Sequence, residues 1–155
     1  MAATAEQLDE LARGWVALAS LHARIETHVE RTLQRTHRLS AREYSVLDAL
    51  SRQDDFHLRM NQLADTVVLS QSATTRLVTR LEDRGLLSRH LCPDDRRGIY
   101  TEVTPAGRRL LAEARPGYEA SLRAALDEAA KRPELAPLVA AVEALEAPAP
   151  AAYAT

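Results

Sequence analysis

The chain has 155 residues, 46% hydrophobic and 27% charged, with a net charge of −2 and a single cysteine. That length suits one domain with helical extensions and is enough to enclose a core. The composition excludes a disordered chain, the lack of any run of about 18 apolar residues argues against a membrane span, and one cysteine excludes an internal disulfide framework. Near the N-terminus, Glu6, Asp9 and Glu10 replace the basic start of a signal peptide, so a cytoplasmic location is expected. A net charge of −2 by itself argues against a nucleic-acid partner, but its distribution does not. Residues 70–109 hold eight arginines against five acids, a surplus of three that leaves −5 on the remainder. A locally basic segment in an acidic body is what binding through one face requires.

In chain order, residues 4–37 read as one long helix. Leu8, Leu11, Trp15, Leu18, His22, Ile25 and Val29 alternate steps of three and four, a heptad seam that needs a later helix or another chain to cover it. His22 on that seam has two readings: a histidine satisfied by a polar neighbour in a helix interface, or one lining a ligand cavity. A second helix opens at Ser40, where Ser40-Ala-Arg-Glu43 spells a capping box and Leu39 with Tyr44 a hydrophobic staple; Tyr44, Leu47 and Leu50 form its buried face. Residues 51–58 break the pattern, with Phe56 and Leu58 at the start of a short strand. A short helix follows at 60–66, then Val67-Val68-Leu69 leads into the next one. The turn of a helix-turn-helix often holds glycine, and here Val68 stands in that place.

The helix over 70–85 is the element on which the functional reading turns. Ser70 is its cap and Gly85 its stop signal. Ala73, Leu77, Val78 and Leu81 form an apolar back, while Gln71, Ser72, Thr75, Arg76 and Thr79 share the opposite arc and Arg80 its flank. Any solvated helix is polar outside. This face differs in being made of short hydrogen-bonding residues and arginine, with Glu82 and Asp83 held at the far end. Arginine can pair with guanine and glutamine with adenine in the major groove, and threonine methyls can meet thymine methyls. After Gly85, residues 86–92 and 98–103 read as two strands joined by Pro93-Asp94-Asp95-Arg96-Arg97, a turn with two arginines at its tip. Those arginines either pair with Asp94 and Asp95 or reach DNA, and both can hold at once. Thr104-Pro105 caps a further long helix with Leu111, Ala114, Tyr118, Leu122 and Leu126 on its seam. A last helix is expected from Pro133, with Leu135, Leu138, Val142 and Leu145 inward. The tail from Ala147 is low in complexity and expected to be disordered.

Together these elements predict a mainly α fold with a small β-hairpin wing. It comprises a winged helix-turn-helix over 39–104, terminal helical regions over 4–37 and 105–146, and a tail over 147–155. The run from Leu63 to Leu87, L-A-x₅-L-S-Q-S-x-x-T-R-L-V-x-R-L-E-x-R-G-L-L, resembles the MarR family of transcriptional regulators. Asp95-Arg96-Arg97 and Val103-Thr-Pro-Ala-Gly107 extend that resemblance, which spans roughly residues 8–145. The resemblance implies a homodimer on palindromic operator DNA, usually a repressor and often released by a small aromatic ligand. It assigns Ser70, Gln71, Ser72, Thr74, Thr75, Arg76 and Arg80 to the recognition helix, and Asp95, Arg96 and Arg97 to the wing. Helical periodicity adds Thr79 and sets Thr74 nearer the buried side.

A two-fold dimer would space two reading helices one duplex turn apart, so an inverted repeat is expected. The family's pocket lies where the dimer helices meet the winged domain; Trp15, His22, Tyr44 and Leu47 are the candidates for it, against a reading of each as ordinary packing. Cys92 opens the wing and reads as a strand residue. The five histidines show no i,i+4 pair and no cysteine partner, so no metal and no cofactor are expected. Nucleophile elbows, P-loops, dinucleotide fingerprints and HExxH are all absent, which argues against an enzyme. Two alternatives stay open: a helical interaction module whose basic hairpin docks an acidic protein, and a DNA-binding regulator with no small ligand.

Overall fold

Helix ends in this chain are set by short-range hydrogen bonds between residues that cannot continue the helix and backbone groups that would otherwise be orphaned. The computed structural model describes residues 3–91 and 98–145. In chain order the described elements are α1 (Ala5–His37), α2 (Ala41–Ser51), β1 (His57–Arg59), α3 (Met60–Thr66), α4 (Gln71–Asp83), β2 (Leu87–Leu91), β3 (Ile99–Val103), α5 (Pro105–Ala130) and α6 (Ala136–Ala144). The predicted fold class, mainly helical with a small wing sheet, is the one found.

Ser40 caps α2 as expected: its Oγ accepts the Glu43 N–H at 2.9 Å, and the Glu43 carboxylate accepts the Ser40 N–H at 2.9 Å. Ser70 caps α4 through the Ala73 N–H, and Thr104 caps α5 through the Gly107 N–H. Two helices then stop by the same Schellman geometry with different residues at the left-handed position. After α4, Gly85 takes φ +72°, its N–H bonds Glu82 O, and the Leu86 N–H bonds Leu81 O. After α3, Val68 takes φ +54°, its N–H bonds Asp65 O, and the Leu69 N–H bonds Ala64 O. The expectation that Val68 replaces a turn glycine therefore holds in detail. A β-branched residue in this region is a strained outlier, and Val68 points into solvent at 85% exposure.

The chain divides into two compact units. One, the winged unit, covers the described part of 33–116. Its sheet is antiparallel in the order β1-β3-β2, with Leu58 and Arg89 facing Thr101 on either side and Leu87 facing Val103. Alternation places Leu58, Leu87, Thr101 and Val103 on the covered face, where all are buried, while on the other His90 stacks on Tyr100 and His57 meets that ring edge-on. The core also takes Leu39, Val46, Leu47, Leu50, Leu63, Val78 and Leu81, all fully enclosed. Gly107 marks the tightest approach: a Cβ there would overlap the Leu86 carbonyl oxygen and lie 2.8 Å from Val103 Cγ2.

The other, the terminal-helix unit, covers the described part of 1–32 together with 117–145. Leu21, Leu126, Ala129, Leu135 and Val139 form its core, joined by Ala17, Ile25, Leu122 and Leu138 at the margin. The seam predicted for α1 is covered only in part by this chain's later helices. Burial follows Leu21 and Val29 with Ile25 between them, whereas Leu8, Leu11, Trp15 and Leu18 are exposed. The last helix also differs: it starts at Ala136, with a proline in its first turn, because Leu135 rather than Pro133 ends the preceding turns. Leu135 and Val139 are its buried residues, and Val142 and Leu145 lie exposed instead of inward. Both α1 and α5 contribute residues to each unit, and α5 runs through Pro116, immediately before the division. No helix among the described residues is long and apolar enough to cross a membrane.

Candidate nucleic-acid interface

The geometry of α4 follows from one buried and one open face. Leu77, Val78 and Leu81 anchor it against the winged unit's core. Gln71, Ser72, Thr75 and Arg76 stand exposed on the opposite side, with Ser70 at the cap and Thr79 half-buried at the margin. The first turn carries no acid, and Arg76 makes no ion pair among the described residues. Its guanidinium is thus not neutralised by any described residue.

Thr74 is a correction. It is 0% exposed, and its hydroxyl donates to the Ser70 carbonyl oxygen at 2.9 Å. Helical periodicity had set it toward the buried side, and packing holds it there, so its donor is spent within the helix. The Thr75 hydroxyl makes the equivalent bond to the Gln71 carbonyl at 2.9 Å but keeps its methyl and oxygen at the surface. Arg80 is exposed, yet its Nε lies 3.5 Å from the Glu43 carboxylate, so this arginine is only partly available to a partner.

The wing tip residues Asp95, Arg96 and Arg97, with Cys92, lie outside the described residues. The strands that lead to them are described, and they bring in side chains that sequence patterning had not singled out. Arg59, Asn61, Gln71, Thr75 and Arg89 line a concave site of about 390 Å³, closed at its edge by Gly98 and Ile99. Arg59 Nε donates to the Tyr100 hydroxyl at 3.3 Å, and its guanidinium sits 5.6 Å from that ring's centre. Arg89 is gripped by Glu82 at the end of α4, through Nη2 at 2.9 Å and through its backbone N–H at 2.9 Å. Hydrogen bonding from Arg89, above all, holds the Glu82 carboxyl below its ordinary value and raises Arg89 above its own. This pair staples strand β2 to α4. Arginine at 59 and 89 could have been flagged from charge alone. Their convergence on Gln71 could not, because it depends on how β1 and β2 meet the helix.

Of the four ligand candidates, Trp15 and His22 belong to the terminal-helix unit and Tyr44 and Leu47 to the winged unit. Trp15 lines an open apolar groove of about 990 Å³ with Leu11, Leu18 and Leu138. His22 is exposed in the single chain, with its Nδ1 3.9 Å from the Glu26 carboxylate, the kind of polar neighbour expected for it. Tyr44 and Leu47 are enclosed in the core of the winged unit, where they pack rather than line a site. Among the described residues no cluster of histidine, cysteine and carboxylate side chains could hold a metal ion.

Comparison with known proteins places this arrangement. A model of the MarR family matches residues 37–98. The HTH-type transcriptional regulator MhqR of Bacillus subtilis (strain 168) is 29% identical over 108 residues, covering 70% of this chain and 72% of that protein. Sco3205, a MarR family transcriptional regulator from Streptomyces coelicolor solved in complex with DNA, superposes with a TM-score of 0.72 at 28% identity, covering 92% of this chain and 86% of that one. CouR from Rhodococcus jostii RHA1, solved bound to p-coumaroyl-CoA, gives a TM-score of 0.60 at 34% identity over 67% of this chain and 71% of its own. The relatives are regulators rather than enzymes.

Proposed function

This chain belongs to the MarR family of transcriptional regulators, and on that premise we propose that it acts as a homodimer reading an inverted-repeat operator, as a repressor released by a small aromatic ligand. The observation that carries the reading is the open face of α4: Gln71, Ser72, Thr75 and Arg76 exposed together, with no acid in the first turn. Each of these can meet a base edge or phosphate in the major groove, while Arg59, Asn61 and Arg89 stand close enough to the same helix to position the backbone. Ser70 and Thr79 flank that face. Arg96 and Arg97, with Asp95 to orient them, complete the contact from the wing by entering the minor groove, where arginine senses groove width.

The exposed stripe of Leu8, Leu11, Trp15 and Leu18 supports the homodimer, because a contiguous apolar patch of this kind is rare on a monomer. A second copy of the same stripe is its natural cover, and two-fold pairing presents two copies of α4 to one duplex. Support for a ligand comes from the Trp15 groove and from the ligand carried by CouR. A planar aromatic molecule seated there would compete with, or reshape, the contact between copies.

Fluorescence anisotropy tests the reading. The protein first selects duplexes from a random-sequence pool; the enriched duplex and a scrambled one are then titrated at two salt concentrations. Preference of at least about 10³-fold for the enriched duplex is expected of a specific regulator. Equal, salt-sensitive binding to both would mean that the basic face serves something other than sequence, such as an acidic protein.

A further inference from the structure

The C-terminal end of α4 is held by an ion cluster distinct from the reading face. Glu43 is 7% exposed, and its carboxylate already accepts the Ser40 N–H. The same carboxylate lies 3.5 Å from Arg80 Nε and 3.8 Å from Arg84 Nη1. Arg84 then reaches on, donating from Nη1 to the Arg38 carbonyl at 2.8 Å and from Nη2 to the His37 carbonyl at 3.3 Å. One acid at the start of α2 therefore ties together two arginines of the reading helix and, through one of them, the last turn of α1. The helix cap alone does not require this: Glu43 needs one oxygen for Ser40, and glutamine could supply it.

We propose that Glu43 is a specificity-determining residue for DNA reading, a positioning carboxylate that holds Arg80 and Arg84 at the rear of α4 so that only its N-terminal face addresses the duplex. The inference rests on the DNA-reading function proposed above. Two guanidinium groups at the end of a helix lying in a groove would pair with any phosphate within reach, and such pairing adds affinity without sequence information. Glu43 neutralises part of that charge and fixes the angle of the helix through Arg84. Discrimination then falls to Gln71, Thr75 and Arg76.

The test uses the full-length protein and two variants, Glu43→Gln and Arg84→Gln, on the duplex enriched by the parent and on a scrambled duplex across a salt series. Glu43→Gln keeps the cap and removes the charge. It is expected to leave the protein folded and the oligomer mass unchanged, at a somewhat lower melting temperature, and to lower the ratio of specific to scrambled affinity about tenfold. Its scrambled-duplex binding should gain affinity and steepen in log–log salt slope by about one to two, the number of phosphates the released arginines can engage. A purely structural cap would move neither the ratio nor the slope. Arg84→Gln lies outside the cap and should also lower the ratio about tenfold, without the steeper slope, because it loses the tether and a charge together. An unchanged ratio in Arg84→Gln, or an unchanged ratio and slope in a folded Glu43→Gln, overturns the proposal while leaving the DNA-reading function standing. A parent that enriches no duplex overturns that function and this inference with it.

Discussion

In the winged unit Leu47, Leu50, Leu58, Leu63, Val78 and Leu81 are each 2% exposed or less, while in the terminal-helix unit Leu8, Leu11, Trp15 and Leu18 stand 44–68% exposed. The first unit closes its core by packing helices on one face of a sheet, and the open face of α4 that this leaves is polar and available for recognition. The second buries one side of α1 against α5 and α6 and leaves the other side with no cover among the described residues. A region that satisfies its own apolar surface can specialise in reading a polar partner; one that does not gains stability if another surface covers it. Under the proposed function, reading and pairing are physically separate tasks, and variants can address them one at a time.

The largest effect should come from the open stripe. Leu11→Glu with Trp15→Glu places charge where a second copy is proposed to pack, and analytical ultracentrifugation should find a monomer. Operator affinity should fall roughly 10²- to 10⁴-fold with the loss of linked half-site binding. A double variant that stays dimeric would place the pairing surface elsewhere. Next come Thr75→Ala and Arg76→Ala, each expected to cost about 1–3 kcal/mol in operator binding and to relax preference at one base position, with the dimer intact. If both bind like the parent, α4 is not the reading helix.

A smaller change tests the winged unit's own stability. Val68→Gly removes left-handed strain at an exposed residue that packs against little, and should stabilise by about 0.5–1 kcal/mol after the added flexibility of glycine in the unfolded chain is counted. Urea unfolding that shows a loss instead would mean that the valine side chain has a contact of its own. The smallest effect concerns the Glu82–Arg89 staple. Because Glu82 titrates below its ordinary value of 4.5, its stabilising share is complete above that value and disappears as pH falls through the depressed one. Melting temperature should therefore drop more steeply below pH 4.5 in the parent than in Glu82→Gln. Parallel curves would show that the staple contributes nothing to the fold.

Much of this was legible in the residues because it is local. The capping box at Ser40 and Glu43, the cap at Ser70, the stop at Gly85 and the strand pair after it are interactions between neighbours a few positions apart. Even the burial of Thr74 follows from helical periodicity, once periodicity is preferred to positional likeness. What spacing left open was the choice among surfaces. The seam of α1 could be read as apolar from its spacing, but not which of its residues face this chain's own α5 and α6.

By itself, then, the sequence determined the order of the elements and most of their ends, the polar face of α4 and the family, since each depends on short-range geometry and residue type. Only the tertiary structure decided that Tyr44 and Leu47 are core, that His22 and Trp15 are at the surface, and that Arg59 and Arg89 converge on Gln71. It alone decided, too, that Glu43 reaches Arg80 and Arg84 across the fold. Those pairings span tens of residues. They depend on how helices and strands pack in three dimensions, which no local spacing records.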